Sequence, residues 1–113
     1  MIEKIVRNYL NTALDGVPVK TEVPKNPPVK FCIVEKTGGT IEEHIKHSTV
    51  VVQSYGESMQ KAAELSEEVV ALMCYGLVGL AEVSKVTLNG EYPYNDTQEK
   101  KYRYQAVFDI VHY

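Results

Sequence analysis

Tryptophan is absent from this chain of 113 residues, and phenylalanine and cysteine each occur only twice. Cys32 and Cys74 are too few and too far apart for the disulfide framework of a small secreted domain, and we expect both to be buried thiols. The apolar runs are too short to span a bilayer, and the N-terminus lacks the apolar core of a signal peptide. These absences predict a soluble intracellular protein with no membrane association.

A strong charge of either sign is also missing. Lys and Arg number 12 against 15 Asp and Glu, which gives a formal charge of -3. Because the two signs are scattered along the chain, we expect no nucleic-acid binding. The 44% of apolar residues suffices for a continuous core, so we expect a single domain over residues 1–113.

No arrangement of residues typical of catalysis stands out. The histidines lie at positions 44, 47 and 112, and a metal site at the first two would need a further ligand at suitable spacing. Gly38 and Gly39 lack the Lys and Ser/Thr of a phosphate loop, and Ser54 and Ser58 do not stand in a nucleophile elbow. The sequence therefore predicts a protein that is not an enzyme and that uses no metal or cofactor.

Two segments have helical periodicity. Apolar residues at i, i+3, i+4 and i+7 spacing across residues 2–14 predict a first helix that ends before Gly16. Ser58 is a suitable N-cap for a second helix, which begins at Met59 and ends at Gly76.

The strands are predicted from β-branched and alternating runs. Residues 17–23 indicate a short edge strand before a proline turn, and residues 29–34 a central strand covered on both sides. Residues 48–55 predict a third strand. Residues 77–88 and 102–113 predict two more, adjacent and antiparallel.

Two connections complete the expected fold. The polar residues 37–47 predict a long, mobile connection between strands, and Asn89–Gly90 suits a type I′ turn. The fold class is therefore α+β, with two helices packed on one face of a mainly antiparallel sheet of about five strands, in the order α-β-β-β-α-β-β.

In order along the chain, several segments resemble the tail terminator, or tail-completion, family of long-tailed bacteriophages and prophages. The resemblance covers essentially the whole chain. Its most distinctive part is the proline-led strand PPVKFCIV at residues 27–34, followed by Thr37-Gly38-Gly39. The run VVVQSYG at residues 50–56, the helix opening SMQKAAEL at 58–65 and the strand YRYQAVF at 102–108 are similar to later elements of that family.

The resemblance implies a virion structural protein at the head–tail junction, assembled in the host cytoplasm. Its subunits would form a homo-oligomeric ring, typically a hexamer. The ring would stop polymerisation of the tail tube protein and present a surface to the head connector. Such a ring uses closed heterologous contacts between identical subunits.

Contact with a neighbouring subunit or the tube is expected first in the polar segment 37–47. Its candidate residues are Thr37, Gly38, Gly39, Thr40, Ile41, Glu42, Glu43, His44, Lys46 and His47. Arg103 and Gln105 are the second choice, because they are polar positions in an otherwise apolar strand, although a surface salt bridge would also explain them. Asp96 and the Tyr92-Pro93-Tyr94 turn come third, in a tyrosine-rich region typical of interfaces.

Three alternatives stay open from the residues alone. Other head–tail joining (neck) proteins share this order of elements. A small α+β domain could instead be a regulatory module that binds a metabolite between subunits. An enzyme, such as a nuclease or hydrolase, would have to use Asp96, Glu99 or the pair His44 and His47.

Overall fold

Two helices lie on one face of a five-stranded sheet in the computed structural model, which describes residues 1–95 and 101–113. The elements in chain order are α1 (Ile2–Ala13), β1 (Val19–Lys20), β2 (Phe31–Glu42), β3 (Ile45–Gly56), α2 (Met59–Tyr75), a 3₁₀ turn (Leu77–Gly79), β4 (Val83–Pro93) and β5 (Tyr102–His112). The predicted α+β class, its element order and its two helices on one face are confirmed.

The spatial order of the strands is β1-β2-β3-β5-β4. The pairs β2–β3, β3–β5 and β4–β5 are antiparallel, and only the two-residue β1 runs parallel to its neighbour β2. The last two strands are therefore adjacent and antiparallel, as predicted. β1 is the predicted short edge strand, and the Asn11 side chain holds it by bonding both the N–H and the carbonyl of Val19.

The main core lies between the helices and one face of the sheet. α1 contributes Ile2, Val6 and Leu10, and α2 contributes Leu65, Val69 and Met73. They pack on alternate strand residues, namely Cys32, Val34, Val50, Val52, Ala106, Phe108 and Ile110. This alternation follows from the two-residue period of a strand. The other face of the sheet, which we call the open face, carries the residues in between.

Helix ends follow the predicted chemistry. Ser58 caps α2, since its side chain accepts a hydrogen bond from the N–H of Lys61 at 3.1 Å. Gly16, just past α1, has a φ of +69°, which glycine adopts without steric cost. Among the described residues, no helix has the length and apolar character needed to cross a bilayer.

Three local predictions are wrong. Residues 37–47 are not a long loop, because β2 continues to Glu42, β3 begins at Ile45, and a two-residue turn joins the two strands in a hairpin. Asn89–Gly90 makes no turn, because β4 continues to Pro93 and the pair lies at an irregularity in the β4–β5 register. The strand predicted at residues 77–88 begins only at Val83, after the 3₁₀ turn.

Candidate functional site

The predicted contact segment 37–47 is the outer end of the β2–β3 hairpin. Thr40 pairs with His47, Ile41 with Lys46 and Glu42 with Ile45. Every residue from 35 to 47 is solvent-exposed, and we call this stretch the distal hairpin. It brings the first group of predicted interface residues together on one two-stranded ribbon.

The turn of the distal hairpin is made by Glu43 and His44, whose φ angles are +50° and +69°. Two positive φ angles in a two-residue loop match the type I′ turn, which normally selects Asn-Gly. For residues with a Cβ, this left-handed conformation costs on the order of 1–2 kcal/mol each. The turn therefore holds backbone strain at the tip of the surface predicted to make contacts.

The two glycines of this segment do not form its turn. Gly38 and Gly39 lie inside β2, next to a register irregularity between Lys36 and Gly38. A glycine within a strand often marks such a bulge. The residues that make the turn, Glu43 and His44, are not the pair that a type I′ turn favours, so the sequence does not indicate it.

Arg103 and Gln105, the second predicted group, project from β5 onto the open face. Gln105 pairs with Gln53 of β3, and Arg103 pairs with Tyr55. Along β3, Gln53 lies six residues from His47, a distance of roughly 20 Å at the usual rise of a strand. The structure therefore separates the two predicted groups along the length of the sheet.

A hydrogen-bonded row crosses three strands of the open face. Gln53 Nε2 donates to Gln105 Oε1 at 3.1 Å, and Gln105 Nε2 donates to the Tyr92 hydroxyl at 2.6 Å. The Tyr55 hydroxyl donates to Gln53 Oε1 at 3.4 Å. The sequence prediction missed Gln53 and Tyr55, although their alternation with the buried Val52 and Ser54 places them on this face.

Next to this row on the open face, aromatic rings and Arg103 make a second set of contacts. Phe31 stacks on Tyr55 with ring centroids 4.2 Å apart. The Arg103 guanidinium lies 4.6 Å from the centroid of the Tyr94 ring, and its Nη1 donates to the Tyr55 hydroxyl at 2.9 Å. Arg103 thus bonds a hydroxyl and faces an aromatic ring, contacts that a salt bridge would not supply. The predicted Tyr92 and Tyr94 do take part in this surface.

The histidines lie in three different settings. His44 is in the turn, His47 faces solvent in β3, and His112 is buried on the helix side of β5. His112 Nε2 and Ser48 Oγ lie 2.7 Å apart in a hydrogen bond that the sequence did not indicate. Across residues 1–95 and 101–113, no three His, Cys, Asp or Glu side chains are grouped so as to hold a metal ion.

Burial lowers the pKa of His112, and Lys46, Lys36 and the N-terminal ammonium lower it further. A hydrogen bond involving the Tyr113 backbone acts in the opposite direction. Because an imidazolium ion is poorly solvated in this position, the neutral form of His112 is favoured. Its bond to Ser48 therefore joins two neutral groups and serves packing.

Neither cysteine has the environment of a nucleophile. Cys32 is buried, and desolvation raises the pKa of its thiol to about 12. Cys74 is half-buried, and desolvation raises its pKa as well. Both are free thiols, as predicted, although only Cys32 is fully buried. A thiol with a raised pKa gives little thiolate for attack or metal binding at neutral pH.

Asp96 and Glu99, which the enzyme alternative requires, lie outside the described residues. No protein-family model and no curated protein matches this sequence.

Proposed function

We propose that the protein is a subunit of a ring that closes the head-proximal end of a phage tail tube. In this role it stops tube growth, carries the docking surface for the head connector, and catalyses no reaction. The resemblance of the segments at residues 27–39, 50–65 and 102–108 to the tail terminator family supports this proposal. The α+β fold agrees with it, since the family's members are small α+β domains.

The observation that carries the proposal is the distal hairpin. Residues 35–47 are all exposed on an ordered two-stranded ribbon, and Ile41 keeps 72% of its surface in contact with solvent. Among the described residues nothing pairs with the outer edge of this ribbon from Val34 to Glu42, and such an edge is a ready template for contact with another chain, to which the exposed Ile41 would add apolar area. In the proposed assembly, the hairpin contacts a neighbouring subunit or the tube.

The open face offers a second contact surface. Tyr92, Tyr94 and Tyr102 are exposed there or at its margin, and Arg103 lies among them. Tyrosine and arginine are enriched in the parts of interfaces that carry most of the binding energy. Because this surface lies toward the opposite end of the sheet from the distal hairpin, one subunit can contact two partners at once.

Co-sedimentation with purified tail tubes tests the proposal. The wild-type protein is expected to bind tube ends, and Ile41→Ser is expected to weaken that binding several-fold without lowering the stability of the subunit. Val23→Ser is the matched control, because Val23 is also exposed (51%) but lies outside the hairpin. Protein that stays monomeric and ignores tubes would overturn the proposal; binding to a head connector alone would assign it to another neck component.

A further inference from the structure

The sheet ends on one side at β2, which the two-residue β1 covers only in part, and on the other side at β4. β1 pairs with β2 only at Cys32 and Ile33. Beyond Ile33, nothing in the described part of the chain pairs with the outer edge of β2 as far as Glu42. At the opposite side, β4 is the last strand of the sheet. Unpaired strand edges of this length are ready templates for adding another strand.

The two edges run in opposite directions. β2 is antiparallel to β3, β3 to β5 and β5 to β4, so β2 and β5 run one way and β3 and β4 the other. In a closed ring whose axis follows the strands, every subunit keeps the same direction along that axis. The β4 edge of one subunit would therefore meet the β2 edge of the next in antiparallel orientation.

The two edges also match in their position along the strand direction. Following the register across the sheet, Gly38 lies at the same position along the strand direction as Thr87, Gly39 as Val86, and Thr40 as Lys85. We call such residues level. These levels fall where both strands are regular. The irregularity in β2 lies before Gly38, and those in β4 lie outside residues 85–88. A closed ring has no rise between neighbours, so equal heights bring regular stretches face to face.

Charge favours this pairing over pairing of β2 with itself. Self-pairing about Gly38 and Gly39 would place Glu35 of one copy opposite Glu42 of the other, and like charges in that position are destabilising. On β4, Lys85 is the one charged residue between positions 83 and 90. Since Lys85 is level with Thr40, it lies diagonally across from Glu42 of the next subunit, within reach of a long side chain.

We propose that neighbouring copies of this chain join by antiparallel pairing of β4, residues 85–87, with β2, residues 38–40. The inference rests on the proposed ring and identifies the surface that closes it. The sheet then continues from subunit to subunit through these residues. β1 limits the contact, because it already occupies β2 at the height of Tyr92 and Pro93.

Disulfide trapping tests the register. Gly38→Cys combined with Thr87→Cys places thiols on facing edges, and a Cβ at Gly38 meets no atom within 4 Å. Within one subunit these positions are three strands apart, roughly 14 Å, which is beyond the reach of a disulfide. Oxidation is therefore expected to give a ladder of covalent multimers. In a Cys74→Ser background, with Cys32 buried, each single variant can give dimers at most.

Gly38→Cys with Ser84→Cys is the mismatched control, since Ser84 lies three residues from Thr87 along the strand. A ladder from the matched pair alone supports the inference. Rings seen by electron microscopy without a ladder, or equal ladders from both pairs, overturn the edge pairing while the proposed ring stands. If neither rings nor ladders form, either alone or with tail tubes, the ring proposal fails too. A ladder with open filaments supports the pairing and contradicts closure.

A charge exchange checks the same contact without new thiols. Lys85→Glu and Glu42→Lys are each expected to weaken association roughly five-fold per contact, because each replaces an attraction by a repulsion. Combined in one chain, the two changes restore an opposite pair and should recover most of the loss. Circular dichroism verifies that each variant is folded. Failure of the double variant to recover, with the fold intact, contradicts the proposed neighbours.

Discussion

Arg103 donates a hydrogen bond from Nη1 to the Tyr55 hydroxyl at 2.9 Å, and its guanidinium also lies 5.8 Å from the centroid of the Tyr55 ring. This contact joins β5 to β3 on the face of the sheet that the helices leave open. Tyr55 in turn stacks on Phe31 of β2, so one residue connects three strands on that face.

Removal of this contact should lower stability measurably. Arg103→Ala is expected to cost about 1–2 kcal/mol in the free energy of unfolding, because it removes a hydrogen bond and a cation–π contact. Tyr55→Phe keeps the stack on Phe31 and should cost about 1 kcal/mol. Urea denaturation of both variants and of the double variant measures the coupling. Strictly additive losses would show that the two residues do not interact.

Replacing the strained turn at the tip of the distal hairpin should stabilise the protein. Replacing Glu43 and His44 by Asn and Gly is expected to raise the free energy of unfolding by about 1 kcal/mol, because that pair suits two positive φ angles. Thermal unfolding measures the gain. Gly38→Ala is a control in the same hairpin, since its φ is not positive and the added methyl meets nothing. An unstable Asn-Gly variant would contradict the turn geometry.

His112 makes stability depend on pH in a defined direction. Burial lowers its folded-state pKa, so the unfolded chain takes up a proton first as the pH falls below about 6.5. The stability contribution is complete above that pH and is lost as the pH falls toward the lowered pKa. His112→Gln should show a flatter profile of unfolding free energy between pH 7.5 and 5. An identical slope in wild type and variant would exclude this assignment.

A close approach between α1 and the end of α2 depends on Gly76. A Cβ there would overlap the Tyr9 hydroxyl, which donates to the Leu72 carbonyl at 2.9 Å. Gly76→Ala is expected to destabilise by about 2 kcal/mol through overpacking. Tyr9→Phe removes the overlapping oxygen, so the double variant should lose less than the two single losses combined. A neutral Gly76→Ala would contradict the contact.

Features of the fold that depend on neighbouring residues in the sequence were predictable, whereas features that depend on strand pairing were not. The α2 cap at Ser58 and the alternation of Ala106, Phe108 and Ile110 are local patterns, and both were predicted correctly. The distal hairpin was not, because its polar residues gain their strand conformation from pairing between β2 and β3, and at Lys46 and His47 also from pairing with β5. Similarly, the hydrogen bond between Ser48 and His112 joins residues 64 positions apart, and no pattern of neighbouring residues indicates it.

The candidate site also combines features that were predictable from the sequence with features that were not. Arg103 and Gln105 were identifiable as polar residues in an apolar strand, yet their partners Tyr55, Gln53 and Tyr92 required the register between strands. Likewise, the equal heights of Thr40 and Lys85 depend on three successive strand pairings. The sequence indicated contact surfaces but not how one subunit's edge would meet the next.

Native mass spectrometry of the protein, alone and after release from tail tubes, is the most direct test of the proposed ring. The proposed ring should give one closed species on the tubes, with the mass of six copies of the 12.7 kDa chain. Whether or not the ring forms before contact with the tube, this species should be recovered from it. A monomer in both samples, or an open series of masses without a preferred size, would contradict the proposed ring.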